Sequence, residues 1–512
     1  MTDASLQPTK SPPMPVGDLL VAWAGVPDDL RDSPVTGLAY DSRRVRPGFV
    51  YFGLAGAKTH GAAFAAQAKA AGAVALVTDD AGAALAAGSG LPVVVVGNPR
   101  IVMAHAAARF FGDPTAGRLT FGVTGTMGKS TTCYMIDAAL RAHGLHTGSV
   151  GTIGFAFDGV VIPSERTTQT TPESVDLQAA LAAMAERGAQ AFDMEASSSG
   201  LLMDRVEGVR FDVVGFTNLG RDHMDVHPTV EDYFLAKAKL FRPGWAQHAV
   251  VNIDDPHGRR LSDMIVEAGS PGLTTIGDDP AADYRVVSSR WEDGRQRVKF
   301  VHRGQDTEFS LALPGRFNVT NAIMAAAMMA AAGFDERQTL DAIGQVTVPG
   351  RMEPVDLGPG APTVIVDFGH TPEATEAALQ SVPRPVMAVL GSSGERDAGK
   401  RPLMGAAAAR WADAVIVTDD NARSEDPQAI RDAVRAGADE QARKGDHPVT
   451  VIDGGGRGDA IRLALTMVEP NWTIIIFGCG DREYLEVGGR RLPFKDANVV
   501  KTTWAALREE AA

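Results

Sequence analysis

Short runs of Val and Ile alternate with Ala-rich stretches along almost the whole chain. These runs predict buried parallel strands, because they are apolar on both faces and are followed by Gly, Asn or Asp. The clearest are LPVVVVG (91–97), RLTFGVTG (118–125), FDVVGFTN (211–218), AVVNID (249–254), PTVIVDFG (362–369), RPVMAVLG (384–391), DAVIVTDD (413–420) and TIIIFGCG (473–480). Between them, stretches such as ESVDLQAALAAMAERG (173–188) have apolar residues at helical spacing. The alternation predicts an α/β fold with parallel sheets, whose ligands bind beyond the carboxyl ends of the strands.

The chain is also too long for one hydrophobic core, since it has 512 residues. Two turn-rich segments, GDPTAGR (112–118) and QVTVPGRMEPVDLGPGAP (345–362), each precede a fresh series of strands and helices. We therefore predict three domains, at residues 1–117, 118–348 and 349–512. The Pro-rich residues 1–16 predict a flexible tail.

Composition excludes several classes of protein. The net charge of −14 argues against a nucleic-acid-binding protein. The chain has only two cysteines, Cys133 and Cys479, which fits a reducing, cytoplasmic location rather than a disulfide framework. No apolar run reaches the roughly 18 residues that a membrane span needs.

The stretch FGVTGTMGKSTT (121–132) has the features of a phosphate-binding loop. A strand precedes it and a helix follows, so backbone N–H groups near Gly125 to Gly128 would point at phosphate oxygens. Lys129 supplies a cation and Ser130 a hydroxyl for phosphate or Mg²⁺. The spacing differs from G-x-x-x-x-G-K-[ST], because Val123 stands where that motif has Gly. The alternative interpretation is a tight glycine turn at the end of a strand.

Two further strand ends carry polar side chains that suit a cation. Glu195 in DMEASSSGL (193–201) is either a metal ligand or part of a helix cap. The stretch FTNLGRDHMDVH (216–227) provides Asn218, Asp222, His223, Asp225 and His227. Together with the phosphate loop, these strand ends predict a site for Mg²⁺ and ATP, although each histidine alone is as readily structural.

Other polar residues have both a functional and an ordinary interpretation. Lys237 and Lys239 lie in a helical stretch where lysines are usually solvated, and Asn318 and Asn321 share one helix face that suits either an adenine edge or helix capping. Charged side chains near strand-to-helix joints of the last domain are Arg351, Asp367, His370, Lys400, Arg401 and Arg423. Arginine forks suit carboxylates and phosphates.

The ordered set of motifs resembles the Mur ligase family from about Tyr40 to Phe494. The motifs are YDSRRVRPG, GVTGTMGKSTT, TTPES, EASSSGL, RFDVVGFTNLGRDHMD, YFLAKAKLF, NIDDPHGRRL, LPGRFNVTNA, VPGRMEPV, VDFGHTPEA, GERDAGKRPLMG and DNARSEDP. The resemblance implies an N-terminal domain that binds a UDP-linked substrate, a central ATP-binding domain with a parallel sheet of the P-loop ATPase type, and a Rossmann-like C-terminal domain that binds an amino acid.

The resemblance also implies a reaction. The family transfers the γ-phosphate of ATP to a substrate carboxylate, and an amine then attacks the acyl phosphate to give an amide. The motifs are similar to those of members that add the third residue, meso-diaminopimelate or lysine, to UDP-N-acetylmuramoyl-L-alanyl-D-glutamate in peptidoglycan synthesis. The expected partners are this UDP-muramoyl dipeptide and an amino acid, with no nucleic acid and no membrane, and a monomer is expected.

Residue roles follow by similarity. The nucleotide would contact Gly125, Thr126, Gly128, Lys129, Ser130, Thr131, Asn318, Asn321, Arg351, Asp367 and His370. The Mg²⁺ ligands would be Ser130, Glu195, His223 and a carbamylated Lys237, with Lys129, Lys237 and His223 as catalytic residues. The substrates would contact Ser42, Arg43, Thr170, Thr171, Ser197, Arg205, Asp420, Asn421, Arg423, Gly478 and Arg482.

Four positions depart from the family pattern. Met127 replaces an Asn of the phosphate loop, Ser199 replaces a His, and Met203 replaces a Gln that holds the muramoyl peptide. Arg482 stands where diaminopimelate-adding members have a Glu that binds the distal ammonium, while Arg423 is retained. These departures leave two alternatives beside the cell-wall ligase: a related amide ligase with a different amine or acceptor, and a non-catalytic binding protein.

Overall fold

The structure is a computed structural model, and its described residues are 6–9, 11–23, 25–56, 58–164, 170–220, 222–224, 226–292 and 294–510. The predicted α/β fold with parallel sheets is confirmed. Each of the three domain ranges predicted from the sequence contains one of the three larger sheets. The exact boundaries between the domains stay a prediction.

The N-terminal region has a small parallel sheet. The strands of this region are β1 (Met14–Pro15), β2 (Pro34–Val35), β3 (Gly37–Ala39), β4 (Phe49–Phe52), β5 (Ala75–Thr78) and β6 (Val93–Val95). The α-helices of the region are α1 (Val16–Leu19), α2 (Ala65–Ala70), α3 (Asp80–Leu85) and α4 (Pro99–Phe110). Strands β3 to β6 pair in chain order and in parallel, whereas β1 and β2 form a separate antiparallel pair.

The described part of the expected flexible tail is packed. Leu6 is buried within an apolar cluster of the central region, and the Thr9 hydroxyl donates to Glu186 Oε2 at 2.8 Å. Met14 pairs with Val35. The Pro-rich composition gave no sign of these long-range contacts, because single apolar side chains in a polar segment have no periodicity.

The central region is built on an 11-stranded sheet in the order β10-β9-β8-β11-β7-β12-β13-β14-β15-β16-β17. Its strands are β7 (Leu119–Thr124), β8 (Thr147–Gly151), β9 (Gly154–Phe157), β10 (Val160–Ile162), β11 (Ala191–Glu195), β12 (Phe211–Phe216), β13 (Ala246–Asn252), β14 (Gly272–Gly277), β15 (Tyr284–Glu292), β16 (Arg295–His302) and β17 (Gln305–Leu311). Its α-helices are α5 (Lys129–Ala142), α6 (Ser174–Glu186), α7 (Ser198–Leu202), α8 (Val230–Ala238), α9 (Pro256–Ala268), α10 (Arg316–Ala331) and α11 (Glu336–Ile343).

The middle of this sheet is parallel and covered on both faces. Val213 and Val214 of β12 belong to different apolar clusters, as expected when successive side chains point to opposite faces. Helix α10 is apolar over nearly its whole circumference and packs against α5, β12 and β13. The antiparallel additions at the two edges, β9–β10 and β16–β17, were not predicted from the sequence.

The C-terminal region has a six-stranded sheet in the order β18-β19-β23-β20-β21-β22, which is parallel except for β18, the antiparallel partner of β19. Its strands are β18 (Glu353–Val355), β19 (Thr363–Asp367), β20 (Val386–Leu390), β21 (Ala414–Thr418), β22 (Thr450–Gly455) and β23 (Thr473–Phe477), followed by the hairpin β24 (Tyr484–Val487) and β25 (Arg490–Pro493). Its helices are α12 (Pro372–Gln380), α13 (Lys400–Trp411), α14 (Pro427–Lys444), α15 (Arg457–Met467) and α16 (Asp496–Glu510). Among the described residues, no helix is both long and apolar enough to cross a membrane.

Candidate functional site

A cavity of about 400 Å³ lies between the central and C-terminal regions. The loops at the carboxyl ends of β7, β11 and β12 form one wall, and those of β19, β20, β21 and β23 form the other. The structure therefore brings most of the predicted site residues together. Those that line the cavity are Thr126, Gly128, Lys129, Ser130, Thr131, Thr170, Glu195, Ser197, His223, Asn318, Asn321, Arg351, Asp367, His370, Arg423, Gly478 and Arg482.

The predicted phosphate loop joins β7 to α5 and is tied to the neighbouring strand. Gly128 precedes α5 with a φ of 87°, and a Cβ there would come within 2.3 Å of Asn321 Oδ1. The Met127 N–H donates to Asn218 Oδ1 at 3.0 Å, and Thr217 Oγ1 donates to the Met127 carbonyl at 2.6 Å. Only glycine fits position 128 without strain or a clash, so no side chain of this residue covers the backbone at the start of the helix.

Two lysines converge on this loop. Lys129 Nζ donates to the carbonyls of Gly125 (2.9 Å) and Thr126 (3.0 Å), and Lys237 Nζ donates to Gly125 at 2.7 Å. Lys237 is 1% exposed and lies 4.4 Å from the Tyr233 ring centre. Burial, and then the charge of Lys129, hold the pKa of Lys237 well below its ordinary value, and burial also lowers that of Lys129. The ordinary interpretation of Lys237 as a surface lysine is therefore wrong.

Glu195 ends β11 beside the loop. Its Oε1 accepts from Ser130 Oγ at 2.8 Å and from the Thr152 N–H at 2.7 Å, and its Oε2 accepts from Thr152 Oγ1 at 3.1 Å. The carboxylate is 2% exposed, so these bonds satisfy a buried charge. Glu195 does not cap a helix through its side chain; Ser197 caps α7 instead. Thr152 was missed from the sequence, where a Thr after a strand gives no distinguishing signal.

Asp222 joins the two walls. Its carboxylate lies 3.5 Å from His223 Nε2 and 3.6 Å from His370 Nε2, which follows β19. Burial alone would raise the pKa of Asp222, but the hydrogen bond from His370 and the charges of both histidines hold it far below its ordinary value. Of the other predicted members, His227 is buried against Ser198 at 3.0 Å, and Asp225 lies outside the described residues.

In the described ranges, no group of three or more His, Cys, Asp or Glu could hold a metal ion by itself. A cation here would therefore take further oxygen ligands, such as Ser130 or a bound phosphate. Asn318 and Asn321 share a face of α10 as predicted: Asn318 Nδ2 donates to the Pro314 carbonyl at 2.7 Å and Asn321 Nδ2 donates to Asn318 Oδ1 at 3.2 Å.

On the opposite wall, Asp367 ends β19 and accepts from the N–H groups of Met352 and Gly369, each at 2.7 Å. Burial raises the pKa of Asp367. The Arg351 guanidinium lies 4.0 Å from the Phe368 ring centre and 3.8 Å from Asp481, and Arg482 lies 5.0 Å from the same ring. Phe368 was not predicted, because an aromatic residue after a buried strand is more often part of the core.

The remaining predicted residues near the C-terminal wall lie behind the cavity surface. Asp420 Oδ1 accepts from the N–H of Asn421 at 2.6 Å and from its Nδ2 at 2.7 Å, and Asn421 Oδ1 accepts from the Glu486 N–H at 2.8 Å. Burial would raise the pKa of Asp420, but the charges of Arg457 and Arg482 lower it. These bonds fix the turn that presents Arg423, whose φ is 55°.

Other predicted substrate residues lie outside the cavity. Ser42 Oγ donates to Gln67 at 3.1 Å and Arg43 pairs with Asp41 at 2.6 Å, both in the N-terminal region. In the central region, Thr171 Oγ1 donates to the Glu195 carbonyl at 2.8 Å. Arg205 Nε donates to Glu173 Oε1 at 3.0 Å, and Glu173 also accepts from Arg100 of α4 at 3.1 Å, so this pair links the N-terminal and central regions.

Comparison with known proteins gives matches along the chain. Residues 34–111 match the domain described as "Mur ligase family, catalytic domain", residues 123–329 the "Mur ligase middle domain", and residues 350–480 the "Mur ligase, glutamate ligase domain". A solved structure of a UDP-N-acetylmuramoyl-L-alanyl-D-glutamate–2,6-diaminopimelate ligase superimposes with a TM-score of 0.70 at 28% identity, covering 97% of this chain and 100% of that one.

Curated relatives are similar over nearly their whole length. The UDP-N-acetylmuramoyl-L-alanyl-D-glutamate–2,6-diaminopimelate ligase of Streptomyces avermitilis is 42% identical over 491 residues, which cover 94% of this chain and 95% of that protein. The ligase of the same name from Streptomyces coelicolor is 40% identical over 505 residues, covering 96% and 97%. With this identity and coverage, the chain belongs to the Mur ligase family.

Proposed function

We propose that this protein is the ATP-dependent ligase that joins an amino acid of the diaminopimelate type to UDP-N-acetylmuramoyl-L-alanyl-D-glutamate. The observation that carries the proposal is the position of Lys129 and the Ser130–Glu195 pair across one cavity from Arg423 and Arg482. A phosphate-handling wall thus faces a wall that can hold the carboxylates of an amino acid. The name shared by the curated relatives supports the same reaction.

ATP would sit with its phosphates on the loop and on the amino end of α5. The loop N–H groups and the partial positive charge of the helix terminus favour the phosphates, and Lys129 adds a full charge there. Asn318 and Asn321 would contact the adenine, and Arg351, Asp367 and His370 would contact the rest of the nucleotide from the opposite wall. Binding would therefore draw the two walls together.

The donor atoms beside the loop fit Mg²⁺, which prefers oxygen ligands. Ser130 and the buried Glu195 carboxylate would hold it, with His223 nearby. When bound, Mg²⁺ would neutralise charge on the phosphates. The hydrogen bonds from Thr152 to Glu195 orient the carboxylate and keep it at the edge of the loop.

Lys237 has the environment that carbamylation needs. Its lowered pKa favours the neutral amine, whose lone pair can form an N–C bond to CO₂ with release of one proton. The resulting anion would lie beside Lys129 and would replace an uncharged amine with a carboxylate ligand for a cation. Nuclear magnetic resonance of protein equilibrated with ¹³C-labelled CO₂ would detect the carbamate, and Lys237→Met would remove that signal.

The reaction would proceed in two transfers. A carboxylate oxygen of the acceptor attacks the γ-phosphorus, ADP leaves, and an acyl phosphate forms. The amine nitrogen then attacks the acyl carbon and loses one proton, and phosphate leaves with the oxygen that came from the carboxylate. Enclosure between the two walls would keep water from the acyl phosphate.

The substrates would bind at the residues inferred from the family resemblance. Ser42 and Arg43 would hold the uridine end in the N-terminal region, and Thr170, Thr171, Ser197 and Arg205 the muramoyl peptide. Asp420, Asn421, Arg423, Gly478 and Arg482 would form the amino-acid end. By the same resemblance we propose a monomer that acts in the cytoplasm on nucleotide-linked substrates.

The test is ADP formation from ATP and Mg²⁺ in the presence of UDP-N-acetylmuramoyl-L-alanyl-D-glutamate and a panel of amines. We expect ADP formation that requires both the acceptor and an amine, with an amide product whose mass equals their sum less one water. The absence of acceptor-dependent turnover with every amine, from folded protein that binds ATP, would contradict the proposal. That result would favour a related ligase with a different acceptor.

A further inference from the structure

The C-terminal wall of the cavity carries an excess of positive charge. Among the described residues of this wall, the cavity is lined by the cations Arg351, Arg396, Lys400, Arg423 and Arg482, and by the carboxylates of Asp367 and Asp397. Asp367 already accepts from two backbone N–H groups, and Asp397 accepts from the Gly399 N–H at 2.9 Å. Even without Arg396, the cations that line this wall therefore outnumber the carboxylates that line it.

The other carboxylates near the amino-acid end do not line this cavity. Asp420 is 3% exposed and held by Asn421, and Asp481 faces Arg351 at 3.8 Å. Glu483 is exposed to solvent and lies 3.6 Å from Lys495. Arg482 lines the cavity, whereas none of these three carboxylates does.

Lys400 adds to this charge. It begins α13 and lines the same wall of the cavity as Arg423 and Arg482. Arg423 lies in a turn whose backbone is held by hydrogen bonds to Glu486 and Gly488.

We propose that the amino-acid end of this cavity selects an amine whose far end carries a carboxylate and no second ammonium, that is, a monoamino dicarboxylic acid, with Arg482 as the residue that excludes the second ammonium. The inference rests on the proposed ligase function, and it changes the expected amine from diaminopimelate to an analogue that lacks the distal ammonium. Arg423 would pair with the distal carboxylate in a forked contact, and Arg482 would stabilise the same negative charge.

The sharpest test compares 2-aminopimelate with meso-diaminopimelate. The two have the same carbon chain and the same two carboxylates, and they differ by one amino group. We expect kcat/KM of the unmodified enzyme to be about tenfold or more higher for 2-aminopimelate, because like charges brought together in a desolvated site repel strongly. L-Lysine, which has the distal ammonium without a carboxylate, should be the poorest of the three.

Arg482→Glu should reverse the order of 2-aminopimelate and meso-diaminopimelate, and Arg482→Gln should reduce the difference between them. Arg410→Glu is the matched control, since Arg410 is exposed on α13, ten residues from Lys400 and thus about 15 Å along the helix. It should keep the order of the unmodified enzyme. Circular dichroism of each variant would check that it folds. If Arg482→Glu does not fold, the order of the three amines with the unmodified enzyme still tests the proposed selection.

The outcomes separate the two proposals. Faster turnover of meso-diaminopimelate than of 2-aminopimelate by the unmodified enzyme would overturn the inference while supporting the ligase function. If Arg482→Glu and Arg482→Gln both leave the order of the amines unchanged, Arg482 does not select the amine. No acceptor-dependent turnover with any amine would contradict the ligase function, and the inference with it.

Discussion

The two walls of the cavity are built in different ways. The wall formed by the central region is the proposed nucleotide wall. Its residues Lys129, Ser130, Glu195 and Lys237 are joined by hydrogen bonds to one another or to the loop backbone, and the side chains of Glu195 and Lys237 are almost fully buried. The wall formed by the C-terminal region is the proposed amino-acid wall. Its residues Arg423 and Arg482 lie in turns, and the nearby carboxylates of Asp420 and Asp481 are held by other protein groups.

This difference indicates which part of the site can vary. A substitution on the nucleotide wall leaves a buried donor or acceptor unpaired, which costs about 1–3 kcal/mol or more. A substitution at the tip of a turn on the amino-acid wall mainly changes the charge offered to the substrate. The departure at Arg482 thus lies where the structure tolerates change, and Lys129, Ser130 and Glu195, the residues proposed to bind the nucleotide and Mg²⁺, are all present.

The largest expected effect comes from removing the loop cation. Lys129→Met should lower kcat/KM for ATP by about 100-fold to 1,000-fold, because a positioned charge on the transferred phosphate would be lost. ADP formation at saturating acceptor and amine measures this. Lys299→Met, at the ion pair with Asp306, is the control and should stay near the unmodified value. A loss of less than tenfold in Lys129→Met would remove this lysine from the phosphate site.

Two glycines at opposite ends of α5 sharpen the comparison. Gly128 and Gly144 have similar φ values of 87° and 82°, but a Cβ would meet Asn321 at 2.3 Å only at Gly128, while position 144 is open. Gly128→Ala should lower kcat/KM by about 100-fold, a loss comparable to that of one transition-state contact. Gly144→Ala should cost only about 1 kcal/mol of unfolding free energy. Equal activity losses in the two variants would show that backbone strain alone, without the cavity contact, explains them.

A smaller effect is expected at the adenine end. Asn321→Ala should raise KM for ATP about tenfold with little change in kcat, since one hydrogen bond to the base contributes about 1.4 kcal/mol. The ratio of kcat/KM for ATP to that for GTP should be smaller in the same variant. The exposed Asn498 of α16 offers the control, Asn498→Ala. An unchanged preference between the two nucleotides would place the base elsewhere.

The smallest effect is on stability and follows from Lys237. Its pKa is lower in the folded than in the unfolded protein, so the unfolded chain binds more protons between the two values. The unfolding free energy contributed by this group therefore rises with pH toward its ordinary pKa of 10.5, by at most about 1.4 kcal/mol per pH unit. Urea unfolding in CO₂-free buffer from neutral to alkaline pH should show that Lys237→Met lacks this rise. If the unfolding free energies of Lys237→Met and of the unmodified protein changed with pH in the same way, burial of Lys237 would not explain the rise.

Much of the fold could be predicted from the sequence, because buried parallel strands are continuous apolar runs. RLTFGVTG became β7 and TIIIFGCG became β23, and the loop after β7 begins a helix as its Gly-Lys-Ser stretch indicated. Tertiary contacts were not accessible in this way. Leu6 is buried by contact with distant residues. Strand β16 was overlooked for a different reason: Val298 and Phe300 alternate with charged residues, which is the pattern of a half-buried strand and not of a continuous apolar run.

The candidate site was predictable where a motif and its position at a strand end coincided. Lys129 and Glu195 were singled out from such positions, and both line the cavity. Lys237 was accessible only through the family resemblance, because a lysine in a helical stretch is usually solvated. Thr152 and Phe368 were missed, since their roles arise from Glu195 and Arg351, which lie far away in the sequence.

The most direct test of the account follows one oxygen atom. UDP-N-acetylmuramoyl-L-alanyl-D-glutamate labelled with ¹⁸O in the carboxylates of its D-glutamyl residue would be turned over with ATP and an accepted amine, and the released phosphate analysed by mass spectrometry. Transfer through an acyl phosphate predicts one ¹⁸O atom in each phosphate released. Unlabelled phosphate from a reaction that forms the amide would contradict the claim that the nucleotide wall phosphorylates the acceptor carboxylate.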